Sequence, residues 1–174
     1  PLDVRVHPML IPQQHPLASI HLENNAVWVN GHAVGEVMFY GKGAGELPTA
    51  SAVTGDILNL LVDLQAGVNP PVPGLKVTLS PDAAPLKPMA DTRSKFYIRL
   101  QTMDNPGVIG QLGNACGDHG VSLESVMQMH TNPDGTASIV LVTHEVQEAA
   151  LQAALKQMEH QPATQDVACV LRVW

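Results

Sequence analysis

Residues 95–130 read KFYIRLQTMDNPGVIGQLGNACGDHGVSLESVMQMH, and a change of period inside this stretch decides the fold. From Lys95 to Met103 apolar residues alternate, with Phe96, Ile98 and Leu100 on one side, the rhythm of a half-buried strand. Then the spacing lengthens. Asn105 can cap a helix and Pro106 suits a first helical turn. Val108, Ile109, Leu112 and Cys116 recur on one face, and Gly117 or Gly120 would end the run. VSLESVMQMH returns to strand.

Working outward, NPDG is a turn, TASIVLVTHE a third strand and VQEAALQAALKQMEH a second helix. Val146, Ala149, Leu151, Ala154, Leu155 and Met158 share one stripe of that helix. DVACVLRVW closes as a fourth strand. The order β-α-β-β-α-β is the ferredoxin-like split unit, so residues 93–174 are expected to form one α+β domain. Upstream, residues 68–92 hold six prolines and almost no periodicity. Proline removes backbone donors and biases its predecessor toward extended structure, which predicts a surface connector.

Residues 1–67 form the remaining segment. NAVWVNGHAVGEVMFY reads as a hairpin with Asn30-Gly31 as its two-residue turn, setting Val27 and Val29 against Val34 and Val37. PTASAVTGDILNLLVDLQAG reads as a long helix, with Pro48 near its first turn and Gly67 at its end. Its apolar face is Ala52, Val53, Ile57, Leu60, Leu61 and Leu64. Between hairpin and helix, glycine stands at every second position: Gly41, Gly43 and Gly45. A strand, a glycine-rich turn and a helix can aim free N–H groups at an anion or polar ligand. Yet Lys42 is followed by glycine rather than Ser or Thr, and the third glycine comes one residue early for a dinucleotide fingerprint. On the residues alone, a plain turn and a ligand-contacting loop both stay open.

The totals set bounds. The chain has 174 residues, 45% apolar and only 3% aromatic, so its core must be aliphatic. A formal charge of −7 with no basic run argues against nucleic acid or an anionic membrane as partner. No stretch reaches the ~18 apolar residues of a membrane helix, and no secretory leader is read. Cys116 and Cys169 sit apart in apolar contexts, which reads as two buried thiols in a reducing cytoplasm. PLDVRVHPMLIP reads as a strand already under way, so a piece of a longer protein is expected. The eight histidines show no i, i+4 pairing and no adjacent cysteine pair, and no metal site is expected. Met127 and Met129 read as core or interface, and Ser51 lacks nucleophile-elbow spacing.

GEVMFYGKGAGELPTASAVTGDI resembles the segment that closes the catalytic region of homoserine dehydrogenases, and VHPMLIPQQHPLASIHLENNAVWVNG resembles the stretch before it. RLQTMDNPGVIGQLGNACGDHGVSLESVMQ is similar to the opening of an ACT domain, an amino-acid-sensing module carried at the C-terminus of the long bacterial enzymes. The resemblance implies an oxidoreductase interconverting homoserine and aspartate semialdehyde with NAD(P), in threonine, methionine and isoleucine biosynthesis. It implies that the dinucleotide domain and all catalytic residues lie outside this chain, leaving the fragment inactive with no cofactor of its own. It places Gly41, Gly43, Ala44, Gly45 and Glu46 over the nicotinamide end of the cofactor. Thr49 is either a further donor there or a helix-start residue. It places an effector, threonine by pathway logic, against Asp104, Asn105, Pro106, Gly107, Val108 and Ile109. The competing readings are that Asn105 only caps the helix and that the module only dimerises. A homodimer or larger homo-oligomer is expected either way.

Overall fold

The computed structural model describes residues 1–68 and 84–174. In chain order these form β1 (Met9–Leu10), β2 (Asn24–Gly31), β3 (Gly35–Lys42) and α1 (Glu46–Gln65). There follow β4 (Arg93–Met103), α2 (Val108–Asp118), β5 (Leu123–Thr131), β6 (Thr136–Thr143), β7 (Val146–Gln147), α3 (Glu148–Glu159) and β8 (Thr164–Val173). Two units result, Pro1–Pro12 with Ala84–Trp174 and Gln13–Ala83. Met9 and Leu10 pair with β8 and Leu2 bridges Leu86, so residues 1–12 group with the first unit. Of the proline-rich connector, residues 69–83 lie outside the described residues.

In the first unit the mixed α+β sheet runs β1-β8-β4-β6-β5, with β7 paired to the start of β4. The four long strands carry the expected β-α-β-β-α-β order, and both helices pack on one face. Phe96, Ile98 and Leu100 of β4 meet Ile139 and Leu141 of β6 and Leu112, Cys116, Leu151, Leu155 and Met158 from the helices in one buried cluster. Alternation and the 3.6 period bury these side chains together because each strand offers one face and each helix one stripe. The Thr143 hydroxyl, fully buried at the end of β6, accepts the Phe96 N–H at 3.0 Å.

Three local expectations change. Asn105 does not cap α2 with its side chain: the cap is Gly107 in the left-handed region (φ +90°) with no side-chain bond, and only the Asn105 carbonyl accepts from Val108 N–H. Val146 belongs to β7 rather than α3, where it pairs with Ser94, and Ala149 faces solvent. The end of α2 resolves in favour of Gly120 (φ +69°), whose N–H meets Gly117 O while Val121 N–H meets Cys116 O, a Schellman motif.

In the second unit β2 and β3 pair antiparallel from Asn24↔Lys42 to Gly31↔Gly35. The turn is therefore His32–Val34, not Asn30-Gly31, and the positive φ it needs (+73°) falls on Gly35. Val29 does face Val37, but Val27 faces Phe39 and Val34 sits in the turn. His15 stacks on Trp28 at 4.9 Å, and its Nδ1 accepts Leu17 N–H to cap the short 3-10 turn Pro16–Ser19. α1 starts at Gly45 (φ +125°) and closes with Gly67 and Val68 bonded back to Leu64 and Asp63. None of its twenty residues is buried. Among the described residues no helix is long and apolar enough to cross a membrane.

Candidate functional site

The loop between β4 and α2 lines one recess. Asp104 to Gly110, with Met103, Gln128 of β5 and Ile139 of β6, line a pocket of about 440 Å³. All six residues expected to meet an effector line it. Asp104 is fixed from two sides: its N–H donates to Gly135 O at 2.9 Å, and its Oδ1 accepts from the Gln128 side-chain amide at 3.1 Å. Gly107 has no atom within 4 Å of an added Cβ, so its glycine answers to backbone angle alone. As in any helix, the first N–H groups of α2 lack intrahelical partners, and Ile109 and Gly110 line the same pocket as Asp104. Such N–H groups and a helix dipole suit a carboxylate, and Asp104 suits a cation. Met103, Val108 and Ile139 add an apolar wall.

Gln128, Met103, Gly110 and Ile139 were not anticipated. Gln128 lies more than twenty positions away in sequence, and only the β5–β6 register brings it to the loop. Behind the same loop, Met103, Asn105, Pro106, Val108, Gln111, Pro162 and Ala163 line a second recess of about 260 Å³. Gln161 donates its side-chain amide to Gln111 O at 3.0 Å.

The glycine-rich loop forms the other candidate. Ala44, Gly45 and Glu46 line a recess of about 560 Å³ together with Glu23, Lys42, Leu47 and Pro48. Gly41, Gly43 and Thr49 are not on its wall, and the Thr49 N–H is taken up by Gly45 O as the first turn of α1. Of the three glycines, only Gly45 is required by its own backbone. Gly45 needs its positive φ, whereas a Cβ at Gly43 would meet only the end of the exposed Asn25 side chain, which could swing aside. Gly41 meets nothing within 4 Å and has no internal reason to be glycine. Lys42 reaches Glu23 only loosely, at 3.7 Å, with both side chains exposed.

Elsewhere, burial pushes the Cys116 thiol up to about 11, which makes it an inert core group. The Thr136 hydroxyl and N–H hold the Asp134 carboxyl below its usual value, and Lys95 does the same for Glu124. Among the described residues no group of His, Cys, Asp and Glu is placed to hold a metal.

Residues 2–58 match the family model for homoserine dehydrogenase, and residues 96–160 match the ACT domain. The homoserine dehydrogenase of Synechocystis sp. is 43% identical over 173 residues, covering 99% of this chain and 40% of that protein. That of Bacillus subtilis is 34% identical over 173 residues, covering 99% of this chain and 39% of its own length. The crystal structure of a homoserine dehydrogenase from Thiobacillus denitrificans superposes with a TM-score of 0.82 at 32% identity, covering 99% of this chain and 39% of that one. The Staphylococcus aureus enzyme at pH 6.0 gives a TM-score of 0.52 at 26% identity, over 95% of this chain and 36% of its own. The chain thus spans about 40% of the length of the curated relatives it matches.

Proposed function

We propose that the chain is a part of a homoserine dehydrogenase, supported by the matches over residues 2–58 and 96–160 and by relatives alike along its whole length, and that it is the amino-acid-sensing end of an NAD(P)-dependent enzyme interconverting homoserine and aspartate semialdehyde. One observation carries the sensing role: the 440 Å³ pocket sets uncapped helix N–H groups, a carboxylate and an apolar wall around one small volume. Those are the complements of a small zwitterionic amino acid, and threonine fits the pathway. Residues 93–174 act as the regulatory domain and residues 1–67 as the end of the catalytic region, in a cytoplasmic enzyme. In that enzyme the loop Gly41, Gly43, Ala44, Gly45 and Glu46, with Thr49 behind it, lies over the nicotinamide. Gly41, unexplained from within, gives a flat ring room to approach. Alone, the chain does not transfer hydride, because that step needs a fold that holds the dinucleotide against the substrate.

A specific feature favours a second role, assembly. β5 is an open sheet edge with Val126, Met127 and Met129 exposed, and an apolar edge of this length invites pairing with a second copy. Melting temperature against millimolar threonine, with serine, lysine and methionine as controls, tests the sensing role. At a hundredfold excess over the dissociation constant, binding to the native state adds about 2.7 kcal/mol. The expected result is a rise for threonine that disappears in Asn105→Ala. No shift with any amino acid leaves assembly as the role of the domain.

A further inference from the structure

The turn between β5 and β6 is tied more heavily than a hairpin needs. Two backbone bonds close it: Asn132 N–H donates to Thr136 O at 2.7 Å, and Gly135 N–H donates to Asn132 O at 3.1 Å. Side chains then converge on Thr136, which is buried. Its hydroxyl donates to Asp134 Oδ1 at 2.7 Å. The same hydroxyl accepts from the side-chain amides of Asn132 at 2.8 Å and of Gln101, on β4, at 3.3 Å. A hydroxyl has one proton and two lone pairs, so its whole bonding capacity is used. Asp134 Oδ1 also accepts the Thr136 N–H, at 3.0 Å.

This turn reaches the pocket loop through its backbone. Gly135, left-handed at φ +79°, offers its carbonyl to the Asp104 N–H at 2.9 Å. In the β4–β6 ladder Thr136 is the partner of Met103, the residue at which β4 gives way to that loop. The Asp104 side chain is held from β5, by the Gln128 amide at 3.1 Å. Asp104 thus takes its position from the β5–β6 hairpin twice, once through backbone and once through side chain. Among the described residues that line the pocket it is the one carboxylate. Hydrogen bonds weaken steeply with lost alignment, so a shift of Asp104 costs a bound cation far more than a bound carboxylate.

We propose that Thr136 is a positioning residue for that carboxylate: its hydroxyl locks the 132–136 turn, and the turn's Gly135 carbonyl sets Asp104 to receive the ammonium of an amino acid in the pocket. The proposal rests on the effector reading above. Amide hydrogen exchange and calorimetric titration of the 174-residue chain test it. The probes are threonine and β-hydroxybutyrate, the same skeleton without the ammonium. Thr136→Val keeps the side-chain shape and removes the hydroxyl. It should speed exchange at Asp104 but not at Ile98. The preference for threonine over β-hydroxybutyrate should fall about tenfold, the effect of spoiling one hydrogen bond to a charged group. Thr136→Ser returns the hydroxyl and should restore both readouts. Asp134→Ala, at an exposed position, should shift them in the same direction and serves if the valine variant does not fold. Unchanged exchange at Asp104 overturns the lock. Faster exchange with the preference intact, or an equal loss for both probes, refutes the positioning role while the effector reading stands. Failure of the unaltered chain to bind threonine defeats the effector reading, and the positioning role goes with it.

Discussion

Single residues set the chemistry that the chain does not use. Cys116 sits between α2 and the sheet with 1% of its surface exposed, and its thiol keeps its proton to about 11. An unfolded cysteine releases its proton near 9.0, so the folded state binds more protons between those values and stability must fall as pH climbs through that window. Below pH 9 the effect vanishes, since both states are then protonated. Urea titrations at pH 8 and pH 10 should show the decline, and Cys116→Ala should remove that part of it. The same burial predicts that Cys116 resists alkylation at pH 8 until urea unfolds the chain; rapid labelling of the native protein at this position would contradict the buried site. At Gly107, by contrast, a glycine with φ +90° caps α2 without any side-chain bond and lines the pocket beside it.

At the scale of elements, α2 is unusual in carrying Gly110, Gly113 and Gly117 within eleven residues, each with nothing within 4 Å of an added Cβ. The three fall on one side of the helix, and each forgoes roughly 1 kcal/mol relative to alanine. Gly117→Ala should therefore raise stability by about 0.5–1 kcal/mol in urea denaturation. A loss instead, accompanied by weaker self-association in sedimentation, would show that the backbone of another copy lies against this face. The elements themselves were legible from the sequence because strand alternation and helix stripes coincide with what is buried: Phe96, Ile98 and Leu100 on β4, and Leu151, Leu155 and Met158 on α3. What stayed hidden had non-local causes. The hairpin turn moved to His32–Val34 because the ladder extends to Gly31↔Gly35, overriding the local preference of Asn30-Gly31. Gln128 enters the pocket through a register that no periodicity announces, and the pairing of Met9–Leu10 with β8 joins two short apolar runs from opposite ends of the text.

For the whole molecule, the two units differ in kind. The first encloses a continuous aliphatic core, whereas α1 of the second leaves Leu47, Val53, Ile57, Leu58, Leu61, Val62 and Leu64 exposed. Burial of such side chains contributes about 1.5–3 kcal/mol each, so a helix without it has little beyond propensity to hold it. Amides of residues 46–65 should exchange orders of magnitude faster than those of Ile98, Leu100 and Leu141, and thermal unfolding should show two transitions. A single cooperative transition would mean that other protein surface covers α1 in solution. The placement of β1 also fixes an order of events during synthesis. Met9 and Leu10 are synthesised long before their partners Arg172 and Val173. The β4–β6 and β5–β6 ladders close over far shorter loops and should form first, at smaller entropic cost. β1 then waits, unpaired, until β8 is made. A nascent chain stalled before residue 172 would display it to chaperones long after the rest of the sheet is in place.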